Sequence, residues 1–95
     1  MKKALRSKDA VDFEQIPNIG KEIAKDFKIL GFKTPQKLRG KNPYRLYQEL
    51  CRKTGVRQDP CVLDTLISAV YFMNGRGSKP WWAFTAERKK KYPYL

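Results

Sequence analysis

The sequence predicts an all-α chain, a compact five-helix bundle followed by a Trp-rich C-terminal extension. Three observations carry the prediction. Thr34-Pro35, Asn42-Pro43 and Asp59-Pro60 each set a capping side chain before a proline, and proline at a first helical position needs no donor and already has helical φ. Glycines follow these segments at 40, 55 and 75, where a left-handed residue ends a helix cheaply. Between the marks, apolar residues recur every three or four positions, and no segment alternates with period two as a half-buried strand does.

Residues 1–8 hold four basic and no acidic side chains and read as a flexible basic arm. A short first helix is expected over Asp9 to Gln15, with Ser7 or Asp9 as N-cap and Ala10, Val11 and Phe13 as packing residues. Pro17 stops it by fixing φ and removing a donor. Asn18 and Gly20 are the turn residues that tolerate positive φ. The next helix runs to about Leu30, with Ile23, Ala24, Phe27 and Leu30 on one face and Gly31 at its end. A short helix follows over about Pro35 to Arg39. The helix begun by Pro43 places Leu46, Tyr47, Leu50 and Cys51 on one face. The helix begun by Pro60 is the longest, striped by Val62, Leu63, Leu66, Ile67, Val70 and Met73. Residues 9–75 thus form the domain. Residues 76–79 read as a loop, and residues 80–95 as a Pro-Trp-Trp segment packing on the domain, with at least one Trp turned inward, then a basic tail and a frayed end.

Composition narrows the chemistry. The chain has no His and two Cys, so the usual zinc ligand sets and the Ser-His and Cys-His nucleophiles cannot be assembled within it. There is no glycine-rich phosphate loop of the Walker type, and the acids are scattered as caps and surface groups. No catalytic residue, metal or cofactor is expected, and the chain is not read as an enzyme. No run of about 18 apolar residues suggests a membrane span. A cytoplasmic setting is expected, with Cys51 and Cys61 as thiols. Cys51 lies on an apolar stripe, whereas Cys61 sits near a helix start, where an exposed thiol has a lowered pKa.

The net charge of +12 is unevenly placed. Residues 9–32 carry three basic and five acidic side chains, while residues 33–57 carry eight basic ones against Glu49 alone. Lys33, Lys37, Arg39, Lys41 and Arg45 flank two successive predicted helix starts, where backbone N–H groups and cations act together on phosphate. Arg88 to Lys91 add four more charges in the tail. The pattern fits a solubilising charge with solvated tails or, more sharply, a face that binds a polyanion.

Residues 16–30 resemble a helix-hairpin-helix motif of the kind that grips phosphate in DNA-handling proteins. The wider order Ile16-Pro17-Asn18-Ile19-Gly20, Leu30-Gly31-Phe32, Thr54-Gly55, Asp59-Pro60-Cys61-Val62-Leu63-Asp64 and Pro80-Trp81-Trp82 is similar to the bacterial pathogenicity-locus family of small helix-hairpin-helix proteins, some labelled mitomycin-resistance proteins. The first half also resembles the C-terminal domain of TfoX-type competence regulators. Family members often carry His before the Asp-Pro, where this chain has Gln58. The resemblance implies a compact SAM-like, helix-hairpin-helix domain of the kind found in DNA-binding repair proteins, and implies no known reaction. With the charge pattern, the expected function is DNA binding through phosphates without sequence preference, linked to DNA repair or stress response. By that carry-over Asn18, Gly20, Lys21 and Lys25 line the hairpin. Asn18 stands where the hairpin usually has its first glycine, and Glu22 adds a negative charge. Two other functions fit the same residues. One is a protein-interaction or homodimerisation module without DNA contact, and the other is a thiol activity at Cys61.

Overall fold

The computed structural model describes residues 2–95. Met1, the first residue of the expected arm, lies outside the described residues. Among the described residues there are four α-helices: α1 (Lys21–Ile29), α2 (Pro43–Thr54), α3 (Pro60–Met73) and α4 (Thr85–Lys91). Four 3₁₀ turns connect or precede them, at Ser7–Asp9, Phe13–Gln15, Pro35–Leu38 and Trp81–Phe84. The described residues contain no strand.

The helix expected over Asp9 to Gln15 is instead two 3₁₀ turns. Side chains compete with the helix for its own backbone here. Gln15 Oε1 accepts from the N–H groups of both Val11 and Asp12, and Asp12 Oδ1 accepts from Glu14 N at 3.2 Å. Asp12, not Ser7 or Asp9, is therefore the cap of the turn that enters the core. Ala10 and Phe13 are buried as expected, but Val11 is 80% exposed. The segment after Thr34 is likewise one 3₁₀ turn, set by the buried Pro35 and Leu38, and too short to repay helix nucleation.

The later helices follow their sequence marks closely. Asn42 Oδ1 caps α2 by accepting from Tyr44 N and Arg45 N, and Gly55 ends it at φ 69°. Asp59 Oδ1 caps α3 by accepting from Cys61 N at 2.9 Å. Helix α3 is the centre of the molecule, packed against α2, the Pro35–Leu38 turn and the Trp81–Phe84 turn. It is buried on most of its circumference, with Leu63, Leu66, Ala69, Val70, Phe72 and Met73 in the core. Val62 and Ile67, expected on its stripe, are half-buried. Phe13 stacks on Phe27 at 5.1 Å, and Ile16, Ile19 and Phe27 are fully buried. Each such side chain contributes about 1.5–3 kcal/mol through apolar burial.

One acid overturns the expectation that carboxylates serve only caps and surfaces. Asp64 is fully buried on α3. Arg88 on α4 reaches it from outside, with Nε donating to Oδ1 at 2.9 Å and Nη2 to Oδ2 at 3.1 Å. Thr85 Oγ1 donates to the same Oδ2 at 2.8 Å. The expected basic tail is thus a docked helix, fastened by its first cation. Its neighbour Phe84 is buried against Tyr71, with ring centroids 5.3 Å apart. Trp81 is half-buried, while Trp82 remains 63% exposed. The expected frayed end is docked too. Tyr92 stacks on Tyr44 at 4.1 Å, Tyr44 and Tyr94 share a hydroxyl contact of 3.3 Å, and Leu95 packs on the core.

Candidate nucleic-acid interface

The turn between Gln15 and α1 is held from three directions. Ile16 and Ile19 bury their side chains, and Ile19 N donates to Ile16 O at 3.1 Å. Pro17 follows Ile16, and Asn18 takes φ 72°, the residue order of a type II turn. Beneath the turn, Lys3 Nζ donates to the carbonyl oxygens of Ile19, Glu14 and Ile16 at 2.6, 2.7 and 3.2 Å. Ala4 N donates to Gln15 O at 2.8 Å. The expected arm is thereby anchored at residues 3 and 4. On the far side, Asn18 Nδ2 donates to Lys79 O at 2.6 Å, so the Asn18 amide is committed within the protein.

Gly20 opens α1 as its N-cap, with φ −97° and ψ −169°. That is extended backbone which any residue adopts, and a Cβ built there meets nothing within 4 Å. The fold therefore does not demand glycine at 20, yet no side chain caps this helix. α2 and α3, by contrast, start beneath capping side chains. Lys21 and Lys25 are exposed beside the bare helix start, as is Glu22. Asp26, one turn on, has its carboxyl raised above the usual range by burial and then by Glu22, with Lys25 opposing.

Lys33, Lys37, Arg39, Lys41 and Arg45 are all exposed. Their chemistry differs from the expected pairing with two free helix starts. The first start is a single 3₁₀ turn, and the second has its leading N–H groups taken by Asn42. This surface can act on an anion through side chains alone. Among the described residues, Arg52 with Glu49 and Arg88 with Asp64 are the ion pairs. The seven cations at 21, 25, 33, 37, 39, 41 and 45 take part in neither.

Loop 74–79 joins the two candidate surfaces. Asn18 binds its Lys79 carbonyl, and Gly40 N donates to Asn74 Oδ1 at 2.8 Å. Arg76 and Lys79 are exposed on this loop. Neither belongs to the seven cations expected from the sequence; their charge, next to an aromatic run, is the signal that marks a separate cationic edge.

The Cys61 thiol departs from the lowered pKa expected near a helix start. Burial first, and then the hydrogen bond to Asp59, push the Cys61 thiol above its ordinary pKa, because both favour the neutral form. Cys51 accepts from Gln58 N at 3.4 Å. Gln58 also accepts the Tyr47 hydroxyl on its carbonyl and donates to Thr54 Oγ1 at 3.1 Å, closing the α2–α3 connection. Burial, then Cys51, raise the Tyr47 hydroxyl pKa. Among the described residues no three His, Cys, Asp or Glu side chains form a group suited to a metal, and no helix is long and apolar enough to cross a membrane.

No solved structure matches the chain. A relative named mitomycin resistance protein McrB, from Streptomyces lavendulae, is 37% identical over 86 residues, covering 90% of this chain and 82% of the relative. The family model described as Pathogenicity locus matches residues 6–90, which takes in the turn at 16–20, all four α-helices up to Lys90, and the Asp64–Arg88 pair. The chain belongs to the pathogenicity-locus family.

Proposed function

We propose that this protein binds DNA through the phosphate backbone, without sequence preference, and that residues 13–29 act as a helix-hairpin-helix grip. The observation that carries the reading is the bare start of α1. Gly20 caps a nine-residue helix without a side chain, at a position where the backbone would accept Ser or Asp. Those residues cap better, so the first N–H groups and the positive end of the helix are left for an external anion. Lys21 and Lys25 add charge there, and Lys33, Lys37, Arg39, Lys41 and Arg45 extend the contact. Phosphate contacts of this kind set position and carry no base information. A part in resistance or stress response is proposed on the relative's name alone.

Fluorescence anisotropy with a random 20-base-pair duplex tests the reading. Binding at 50 mM salt should weaken steeply by 200 mM, by on the order of a hundredfold or more if five or six phosphates are neutralised. Gly20→Asp separates grip from fold. It should stabilise the helix by a few tenths of a kcal/mol through capping while weakening DNA about tenfold. A duplex that does not bind at 50 mM salt ends the proposal. The second reading, a protein-interaction or dimerisation module, is favoured by the exposed Leu5, Val11 and Trp82. A monomer by sedimentation across the micromolar range counts against its homodimeric form.

A further inference from the structure

An open groove of ≈ 690 Å³ runs between the start of α2, the outer face of α3 and the C-terminal elements. Its volume falls in the range of ligand sites. Leu63, Val70 and Phe84 lie buried beneath it, and the half-buried Ile67 reaches its surface, as the tyrosines do. Two tyrosine groups stand over it. Tyr44 lies flat against Tyr92 on one side, with an interplanar angle of 9°, and Tyr71 packs edge-on against Phe84 on the other. Lys41, Arg76, Lys79 and Lys91 border the opening, all exposed. None of the four belongs to an ion pair found among the described residues. Glu87 is the one carboxylate of the lining, and Arg88 is already committed to Asp64.

We infer that this groove holds one or two unpaired nucleotides of a DNA strand, with a base against Tyr71 and the flanking phosphates between Arg76, Lys79 and Lys91. The inference rests on the DNA reading and names the form of strand. Each part of the groove excludes a simpler occupant. An acidic peptide would use the cations but leave the tyrosine rings idle. A small apolar molecule would use the rings and leave the cations unpaired. Duplex keeps its bases stacked in its interior, away from the tyrosines. A single strand offers a ring face and a charge in each repeat, the combination that aromatic platforms in cationic grooves recognise. Lys79 shows how the exchange works. In the free protein its ammonium lies 5.3 Å from the centre of the Tyr71 ring, a cation–π contact of modest strength. An arriving base replaces the ammonium on the ring, and the ammonium turns to the phosphate of the same nucleotide. Because Asn18 holds the Lys79 carbonyl, the backbone of this lysine stays beside the turn at 16–20 throughout.

The test uses the full chain with labelled dT12, a 20-base-pair duplex and a poly-glutamate peptide, each at 50 mM salt. The expected result is a fivefold or greater preference for dT12 over duplex. Arg76→Glu with Lys91→Glu should weaken dT12 at least tenfold and duplex less than threefold, since neither residue belongs to the proposed duplex surface. Tyr71→Leu, which keeps the side chain apolar above Phe84, should weaken dT12 about tenfold. Unmutated protein supplies a readout free of folding effects, because 5-iodouracil in the strand should photocrosslink to Tyr71 or Tyr44. Duplex binding with no preference for dT12 and no effect of the groove substitutions overturns this inference and leaves the DNA reading standing. No binding of either DNA overturns both. Poly-glutamate binding as tightly as dT12, with the same loss in Arg76→Glu, overturns the inference in favour of an acidic protein partner.

Discussion

Replacing Arg88 with Met tests the fastening of α4 most directly. Arg88 is 6% exposed and its partner Asp64 is fully buried. Methionine fills similar space but donates nothing, so Asp64 keeps only the Thr85 hydroxyl of its three side-chain donors. Stranding one partner of a buried pair costs about 3–5 kcal/mol. A domain of this size has a total stability of about 5–15 kcal/mol. The loss is therefore at least about a fifth of that stability and up to all of it, and the melting temperature should fall by on the order of 15–30 °C. The companion variant combines Asp64→Leu with Arg88→Met. It removes both charges, and apolar replacement of a buried pair is often neutral or stabilising. It should return to within about 2 kcal/mol of the parent. Urea denaturation followed by far-UV circular dichroism measures both. A loss below about 1 kcal/mol in Arg88→Met, or a double variant no better than the single, would refute the view that Asp64 is buried at the expense of its partner.

Two further outcomes concern Cys61 and Lys3. The raised Cys61 thiol should be alkylated by iodoacetamide several-fold more slowly than free cysteine at pH 8. The folded state holds that proton more tightly than the unfolded chain does. The stability it contributes is intact below the unfolded value of about 8.5 and is lost as pH rises through the folded one. Alkylation at the free-cysteine rate would sink this account. Lys3→Met removes an ammonium shared by three carbonyls, and should cost about 1 kcal/mol. Amide exchange at Ile19 should rise with it, and unchanged exchange there would mean that water replaces the ammonium without loss.

Much of the fold is legible in local chemistry, because each mark acts within four residues of itself. Asn42 and Asp59 cap the N–H groups just beyond them, and Gly55 turns left-handed where α2 must stop. The misread first helix also has a local cause. Gln15 and Asp12 are strong backbone partners whose bonds preempt a helix too short to resist them. Asp64 was hidden for a different reason. Nothing near it in sequence shows that a cation 24 residues later will cover it, although a lone acid amid the most apolar helix was a cue. The candidate cations are exposed where composition put them. What no window could show is their neighbourhood. Asn18 meets Lys79 across 61 residues and Gly40 meets Asn74 across 34, and these bonds turn a plain loop into the junction of two surfaces.

The Asp64–Arg88 pair also sets an order in time. During synthesis α3 emerges before α4, so for the span of 24 residues the central helix carries a carboxylate with no guanidinium to receive it. Closing the core in that interval would bury a lone charge, which is strongly unfavourable. Nascent chains should therefore hold α3 partly wet until Arg88 arrives, and then close at once. The same coupling bears on a nicked chain: after cleavage in loop 74–79 the pairing of Asp64 with Arg88 joins two fragments, so the nicked domain should unfold more easily than the intact one.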